Sequence, residues 1–359
     1  MISASGEETI ADWLLARDPA WVPVLVGPPA ADHAIRWMAA SPTTFDDPFF
    51  AQSVERLQWT FSQMGMLDTS PSVLCSVAAR LPEVEPAAIV FHISRCGSTL
   101  LVNALKRCQQ VLGLSEPQPF NRITGLCASK SSYWRGESVG LARGLTSVYA
   151  SISRAHPLRV VYKVSPAAVI ALPYLRSIWP SVPFILLVRD PVEVVVSNLL
   201  KPPKWISERR TSPIPAAFGS PPSAVSARGP ASFCAWFVGK CCEHMANMPT
   251  QGCYFMDYEG LSPSAMLRLI AQLNLTLPTS ANQGFAEAVS TYSKDFSVSF
   301  KDDRESKRAL VTEKIQTAVE EFAAGPYKTL KRKWTAQFLG APQACAGRLG
   351  AHDDPGLGS

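Results

Sequence analysis

From residue 86 onward the chain alternates two kinds of apolar pattern. The runs AAIVFHI (87–93), RVVYKV (159–164) and PFILLV (183–188) are short, continuous and rich in Val, Ile and Leu. Each is followed by a stretch with apolar residues at helical spacing: Leu100, Leu101, Ala104 and Leu105 after the first, then 167–179, then 191–200. Continuous runs of this length suit strands buried on both faces, and the wider spacing suits helices that turn one face inward. CYFMDY (253–258) with 263–273 makes a fourth unit. The alternation predicts an α/β fold in three layers, a central parallel sheet flanked by helices.

Outside these units the pattern is less regular. Residues 1–85 predict a helical N-terminal extension packed on the core, with spaced apolar residues at 11–15 and 50–64 and a proline-rich stretch at 23–29 between them. Residues 86–339 form the α/β domain, with further helical spacing at 304–322 and 327–338. Residues 201–230, rich in Pro, Ser and Arg, read either as a lid or binding loop or as an insertion without order of its own. The small and polar residues 340–359 read as a flexible tail.

Composition narrows the classes. Apolar residues make up 47% and charged residues 18%, which excludes a disordered chain. The balance of 34 Lys and Arg against 29 Asp and Glu, +5 in all, is too small to make nucleic acid the expected partner. It leaves room for one local anion site. The apolar runs fall far short of the roughly 18 residues of a membrane span. Glu7 and Glu8 stand where a signal peptide would be basic, so a cytoplasmic protein is expected. Nine cysteines without a CxxC pair and five scattered histidines give no support to a metal site.

The chemistry concentrates in HISRCGST (92–99), which joins the first strand to its helix. Against the nucleotide-triphosphate loop GxxxxGK[ST], Gly97 and Thr99 keep their places, while His92 replaces the first Gly and Ser98 the Lys. Arg95 supplies a cation instead. Gly97 allows close backbone approach, the helix start offers N–H groups, and Ser98 and Thr99 add hydroxyls, so the loop suits an anion. An ordinary capped turn is the alternative for this loop alone. In FILLVRDPVEVVVSNL (184–199), Asp190 before Pro191 is a helix cap, and Arg189 sits at the strand's C-terminal end, where open α/β sheets bind ligands. Ser197 lies about two turns further on.

Together these two segments resemble the sulfotransferases that use 3′-phosphoadenosine-5′-phosphosulfate (PAPS). That family's [KR]xG[ST]T loop corresponds to Arg95, Cys96, Gly97, Ser98 and Thr99, and its RDPxxxxxS segment to Arg189, Asp190, Pro191 and Ser197. DYEGLSPSAMLRLIAQL (257–273) is similar to the family's later YExL segment, with Tyr258 at the cofactor-contact position. The resemblance covers about residues 86–335. It implies a P-loop-type fold, PAPS as donor with 3′,5′-ADP (PAP) as product, and no metal requirement. It also implies a small-molecule or peptide acceptor, and it is compatible with a homo-oligomer.

Transfer of a sulfuryl group to a hydroxyl or amine needs a base, a cation on the leaving phosphate and in-line positioning. Arg95 is the candidate for the leaving group. Lys163 matches a lysine that the family places beside the sulfate. Cytosolic small-molecule members carry a His shortly after that lysine, where this chain has Ser165, and His156 lies upstream. The tyrosylprotein and bacterial branch, which places a Glu after the loop's helix, is the closer match: Glu116 falls 21 residues after Arg95 and is the candidate base. Ser293 and Lys294 stand where relatives carry late cofactor contacts. KTLKRKW (328–334) reads as a solvated helix face, and Cys96 as a filler. Phe120, Tyr133, Trp134 and Trp205, with 118–138 and 201–230, are candidates for an acceptor pocket. The competing readings are a kinase-like phosphotransferase of the P-loop class, which the missing loop Lys disfavours, and a non-catalytic nucleotide-binding module.

Overall fold

The computed structural model describes residues 4–27, 35–60, 65–127, 132–153, 155–219, 225–279, 285, 307 and 309–340. The N-terminal part runs α1 (Ala4–Leu15), β1 (Ala20–Val26), β2 (Ile35–Ala40), α2 (Phe50–Thr60), β3 (Leu67–Thr69) and α3 (Pro71–Ala78). The helical reading of residues 1–85 is therefore corrected. Three helices are present, but β1, β2 and β3 form an antiparallel sheet among them. Pro23 disguises β1 in the sequence. It sits where the β1–β2 register shifts, and such irregularities are where a strand tolerates a residue without an N–H.

The α/β part follows as β4 (Ala88–His92), α4 (Ser98–Leu105), β5 (Val111–Ser115), α5 (Gln118–Cys127), α6 (Ser132–Ala150) and β6 (Arg159–Lys163). A 3-10 turn (Pro166–Ala171) leads into α7 (Leu172–Ile178), then β7 (Phe184–Val188) and α8 (Pro191–Leu200). Two short helices, α9 (Lys204–Ser207) and α10 (Ile214–Ala217), occupy part of the proline-rich connection. The chain closes with α11 (Pro230–Ala246), β8 (Cys253–Asp257), α12 (Pro263–Gln272), α13 (Glu313–Phe322) and α14 (Ala324–Gly340). Residues 118–138, expected as a loop, are mostly the helices α5 and α6. Residues 341–359, Ser293 and Lys294 lie outside the described residues.

The five strands β4 to β8 form one parallel sheet in the order β5-β6-β4-β7-β8, with helices on both faces. Every residue of β4 and β7 is buried, as expected for strands covered on both sides. β4 is central, with β6 on one side and β7 on the other. Ligands of open parallel sheets gather at the carboxyl ends of such strands. The N-terminal sheet is tied to this domain: the Gln118 amide bonds both the N–H and the C=O of Val26 (2.7 and 2.9 Å), and Tyr149 Oη donates to the Pro23 carbonyl (2.6 Å). Lys106 Nζ donates to the carbonyls of Phe45 (2.7 Å) and Asp47 (2.9 Å).

Candidate active site

β4 ends at His92, and the chain turns through 93–97 into α4. Ser94, Arg95 and Gly97 all take left-handed φ angles of +74°, +49° and +83°. Such residues curl the backbone into a concavity lined by N–H groups. Gly97 is required twice, by its φ and because a Cβ there would lie 2.8 Å from Leu261 Cδ2 and 3.0 Å from Tyr258 Cδ2. No side chain caps α4, whereas Asp190 caps α8, Ser262 caps α12 and Thr312 caps α13. The first N–H groups of α4 therefore have no capping side chain, and Ser98 and Thr99 stand beside them. Cys96 is filler: it is buried, donates to the Leu187 carbonyl (3.4 Å), and burial pushes its thiol pKa up to about 11.

The two arginines are held differently. Arg95 lines the cleft, with Nε donating to Asn198 Oδ1 (3.3 Å) and Nη2 to the Lys201 carbonyl (2.7 Å). Ser94 Oγ donates to the same Asn198 oxygen (3.1 Å). Arg189 is buried behind the loop. Its Nε donates to Glu193 (2.6 Å), its Nη1 to the Arg95 carbonyl (3.3 Å), and its guanidinium lies 4.0 Å from the centroid of the Tyr258 ring. Arg189 thus braces the loop, and Tyr258 packs against both that brace and Gly97.

Glu116 follows β5 with φ +56°, and its N–H donates to the Lys163 carbonyl (2.6 Å), carrying the β5–β6 pairing one step further. This brings the two side chains together: the Lys163 ammonium, only 1% exposed, bonds Glu116 Oε1. Lys163 Nζ also lies 5.1 Å from the centroid of Phe49. His92 completes the group. Its Nδ1 accepts the Ser94 N–H (3.1 Å), which leaves the proton on Nε2, 3.7 Å from Glu116 Oε1.

Arg95, Ser98, Thr99, Glu116 and Lys163 all line one cleft of about 470 Å³ at the carboxyl ends of β4, β5 and β6. Cys96 and Gly97 form the loop behind this lining, and Arg189, Ser197 and Tyr258 also stand outside it. Ser165, where some relatives carry a His, is in the lining; His156 is exposed and is not. Phe49, Trp205 and Phe237 supply an apolar wall. Phe120 instead stacks on Tyr162 in the core (3.9 Å), and the side chains of Tyr133 and Trp134 are outside the described residues. The basic 328–334 segment is tied to the end of β8 by Lys331 and Asp257 (3.2 Å).

Sequence reading missed His92, Phe49 and Asn198 as parts of the site. Asn198 had a signal, since it follows Ser197 in the same helix. Phe49 had none. Among the described residues no cluster of His, Cys, Asp or Glu could hold a metal, and no helix is long and apolar enough to cross a membrane.

Fold and site define an α/β protein with a five-stranded parallel sheet, whose central strand delivers the turn 93–97 to a cleft holding the Glu116–Lys163 pair. No family model matches the sequence, and no curated protein matches it. Among solved structures the chain is similar to a sulfotransferase domain from the curacin biosynthetic pathway. The identity is 15% and the TM-score 0.36, covering 71% of this chain and 98% of that one. A likeness at that level carries no functional argument.

Proposed function

We propose that the chain is a PAPS-dependent sulfotransferase acting on a hydroxyl or amine acceptor without a metal. One observation carries the reading: an uncapped helix start with Arg95, Ser98 and Thr99 opens onto the same cleft as the Glu116–Lys163 pair. The loop suits the 5′ end of the donor, because the N-cap of α4 is a glycine with no side chain to occupy the first N–H groups of the helix. When bound, PAPS would supply the sulfuryl group, its sulfur bonding the acceptor oxygen or nitrogen as its bond to the 5′-phosphate oxygen breaks.

Within that reading Arg95 and the loop N–H groups stabilise charge growing on the leaving phosphate. Glu116 takes the acceptor proton, and Lys163 holds that carboxylate while facing the transferred group. His92 Nε2 stands 3.7 Å from the same Glu116 oxygen that Lys163 holds. Arg189, Ser197 and Tyr258 are assigned to the nucleoside half and its 3′-phosphate. Arg189 acts there through the loop it braces, and Cys96 and Gly97 through their backbone.

Thermal shift and turnover test this together. 3′,5′-ADP is expected to raise Tm more than ATP with Mg²⁺. Arg95→Ala is expected to lower turnover about 10²–10³-fold. Glu116→Gln is expected to keep the 3′,5′-ADP shift and lose about 10²–10⁴-fold in turnover. Equal stabilisation by ATP with strict Mg²⁺ dependence would instead make the chain a phosphotransferase. A 3′,5′-ADP shift without turnover would make it a binding module.

A further inference from the structure

A second cavity, of about 340 Å³, opens beside the cleft and shares Ser165, Ala167 and Ile214 with it. Its walls continue the two segments that carry the carboxylate and the ammonium. Asn121, Thr124 and Gly125 follow Glu116 along α5, and Ala167, Ala168 and Ile170 follow Lys163 along the 3-10 turn. Pro213, Ile214 and Ala217 close it from the α10 side. The cavity therefore adjoins the cleft at Ser165, two residues beyond Lys163 in the chain, and at Ala167 and Ile214, while Glu116 and Lys163 line the cleft itself.

Its lining contains no charged side chain. Two of the polar groups in the wall are already engaged by the fold. Thr124 Oγ1 donates to the Asn121 carbonyl (2.8 Å), and Asn121 Oδ1 accepts the Ser165 N–H (2.9 Å). What the walls offer a ligand is mainly methyl and methylene surface. A charge or a row of hydroxyls placed there would lose water and find few partners in return. Phe49, Trp205 and Phe237 continue the apolar wall into the main cleft, and the volume lies within the range of small-molecule sites.

We infer that this side cavity receives the body of the acceptor, and that the acceptor is a small apolar alcohol rather than a peptide or a saccharide. The inference rests on the transfer reading above and names its substrate class. Two positions control the depth of the cavity. Ala167 stands at the neck, where a larger side chain narrows the passage. Gly125 lies further along, and a Cβ built on it meets nothing within 4 Å, so a larger residue there has room without disturbing the core.

The test compares 1-butanol, 1-hexanol, 1-decanol, 6-hydroxyhexanoate and a tyrosyl peptide as acceptors, by turnover with PAPS and by thermal shift in the presence of 3′,5′-ADP. In the wild-type chain kcat/KM is expected to rise with alkyl length, and 1-hexanol to exceed 6-hydroxyhexanoate at least tenfold. Ala167→Leu is expected to lower kcat/KM for 1-decanol at least tenfold while changing 1-butanol less than threefold. Gly125→Phe is expected to do the same for 1-decanol only. Both variants should retain the full 3′,5′-ADP shift. Transfer to the peptide or the charged alcohol at equal or higher efficiency would overturn the inference and leave the transferase reading standing. So would rates indifferent to length and to both substitutions. If the wild-type chain transfers to none of these, and no apolar alcohol adds to the 3′,5′-ADP shift, the inference is overturned as well. Failure of 3′,5′-ADP itself to stabilise the chain marks failure of the transferase reading.

Discussion

At the scale of single residues, the loop after β4 depends on conformations that most side chains avoid. Gly97 combines a left-handed φ with contacts that leave no room for a methyl group. Gly97→Ala is expected to cost about 2–4 kcal/mol, from backbone strain and overpacking against Tyr258 and Leu261. The 3′,5′-ADP thermal shift should disappear with it; urea denaturation and thermal shift report the two effects separately. Gly97, Arg95, Ser98 and Thr99 were legible because they are contiguous and their spacing is itself the signal. Glu116 was singled out only through the family resemblance, which places a Glu after the loop's helix. His92 was visible only as a departure from a glycine. Its role depends on which nitrogen carries the proton, and that is set by a Ser94 N–H whose direction no sequence states.

At the scale of elements, the continuous apolar runs became β4, β6, β7 and β8 as their composition predicts. β5 escaped notice because VLGLS is short and carries Gly113 at its centre. The N-terminal sheet escaped because Pro23 reads as a connection until the bulge that accommodates it is seen. Close packing of helices sets a sharper constraint. On α11, a Cβ at Gly239 would stand 2.0 Å from the Phe322 carbonyl oxygen, and a backbone oxygen cannot swing aside as a side chain does. Gly239→Ala is expected to destabilise the fold by about 3 kcal/mol or more. Gly140→Ala, on α6, meets nothing nearer than Cys75 Sγ at 4.0 Å and is expected to add about 0.5–1 kcal/mol. Paired denaturation curves for the two variants give the contrast.

At the scale of the whole molecule, the N-terminal part belongs to the same core as the α/β domain and furnishes Phe49 to the cleft. Residues 1–85 were expected to pack on the core, but nothing in them announced Phe49 in the cleft, since the joining contacts run between positions far apart in the chain. Lys106 is one of them. Burial pushes its pKa down to about 8 despite the nearby Asp46 and Asp47. Between that value and the usual lysine range near 10.4, the unfolded chain binds a proton that the folded chain does not. Folding should gain stability from this group as pH rises through about 8 to 10, with no slope from it at lower pH. Lys106→Met removes that contribution, so the difference in denaturation midpoint between the two proteins should move in favour of the wild-type chain as pH rises across this window.

The cleft draws its walls from β2–α2, the loop after β4, the ends of β5 and β6, α9–α10 and α11. No two neighbouring segments of the chain are enough to form it. Local helices can appear early in folding, but parallel strands joined by long crossovers, in the order β5-β6-β4-β7-β8, close large loops before their contacts repay that cost. A nascent or partly folded chain therefore carries helices and hydrophobic clusters but no working centre. The complete cleft is the last feature the chain acquires as it folds, and the first it loses when any one of those segments lets go.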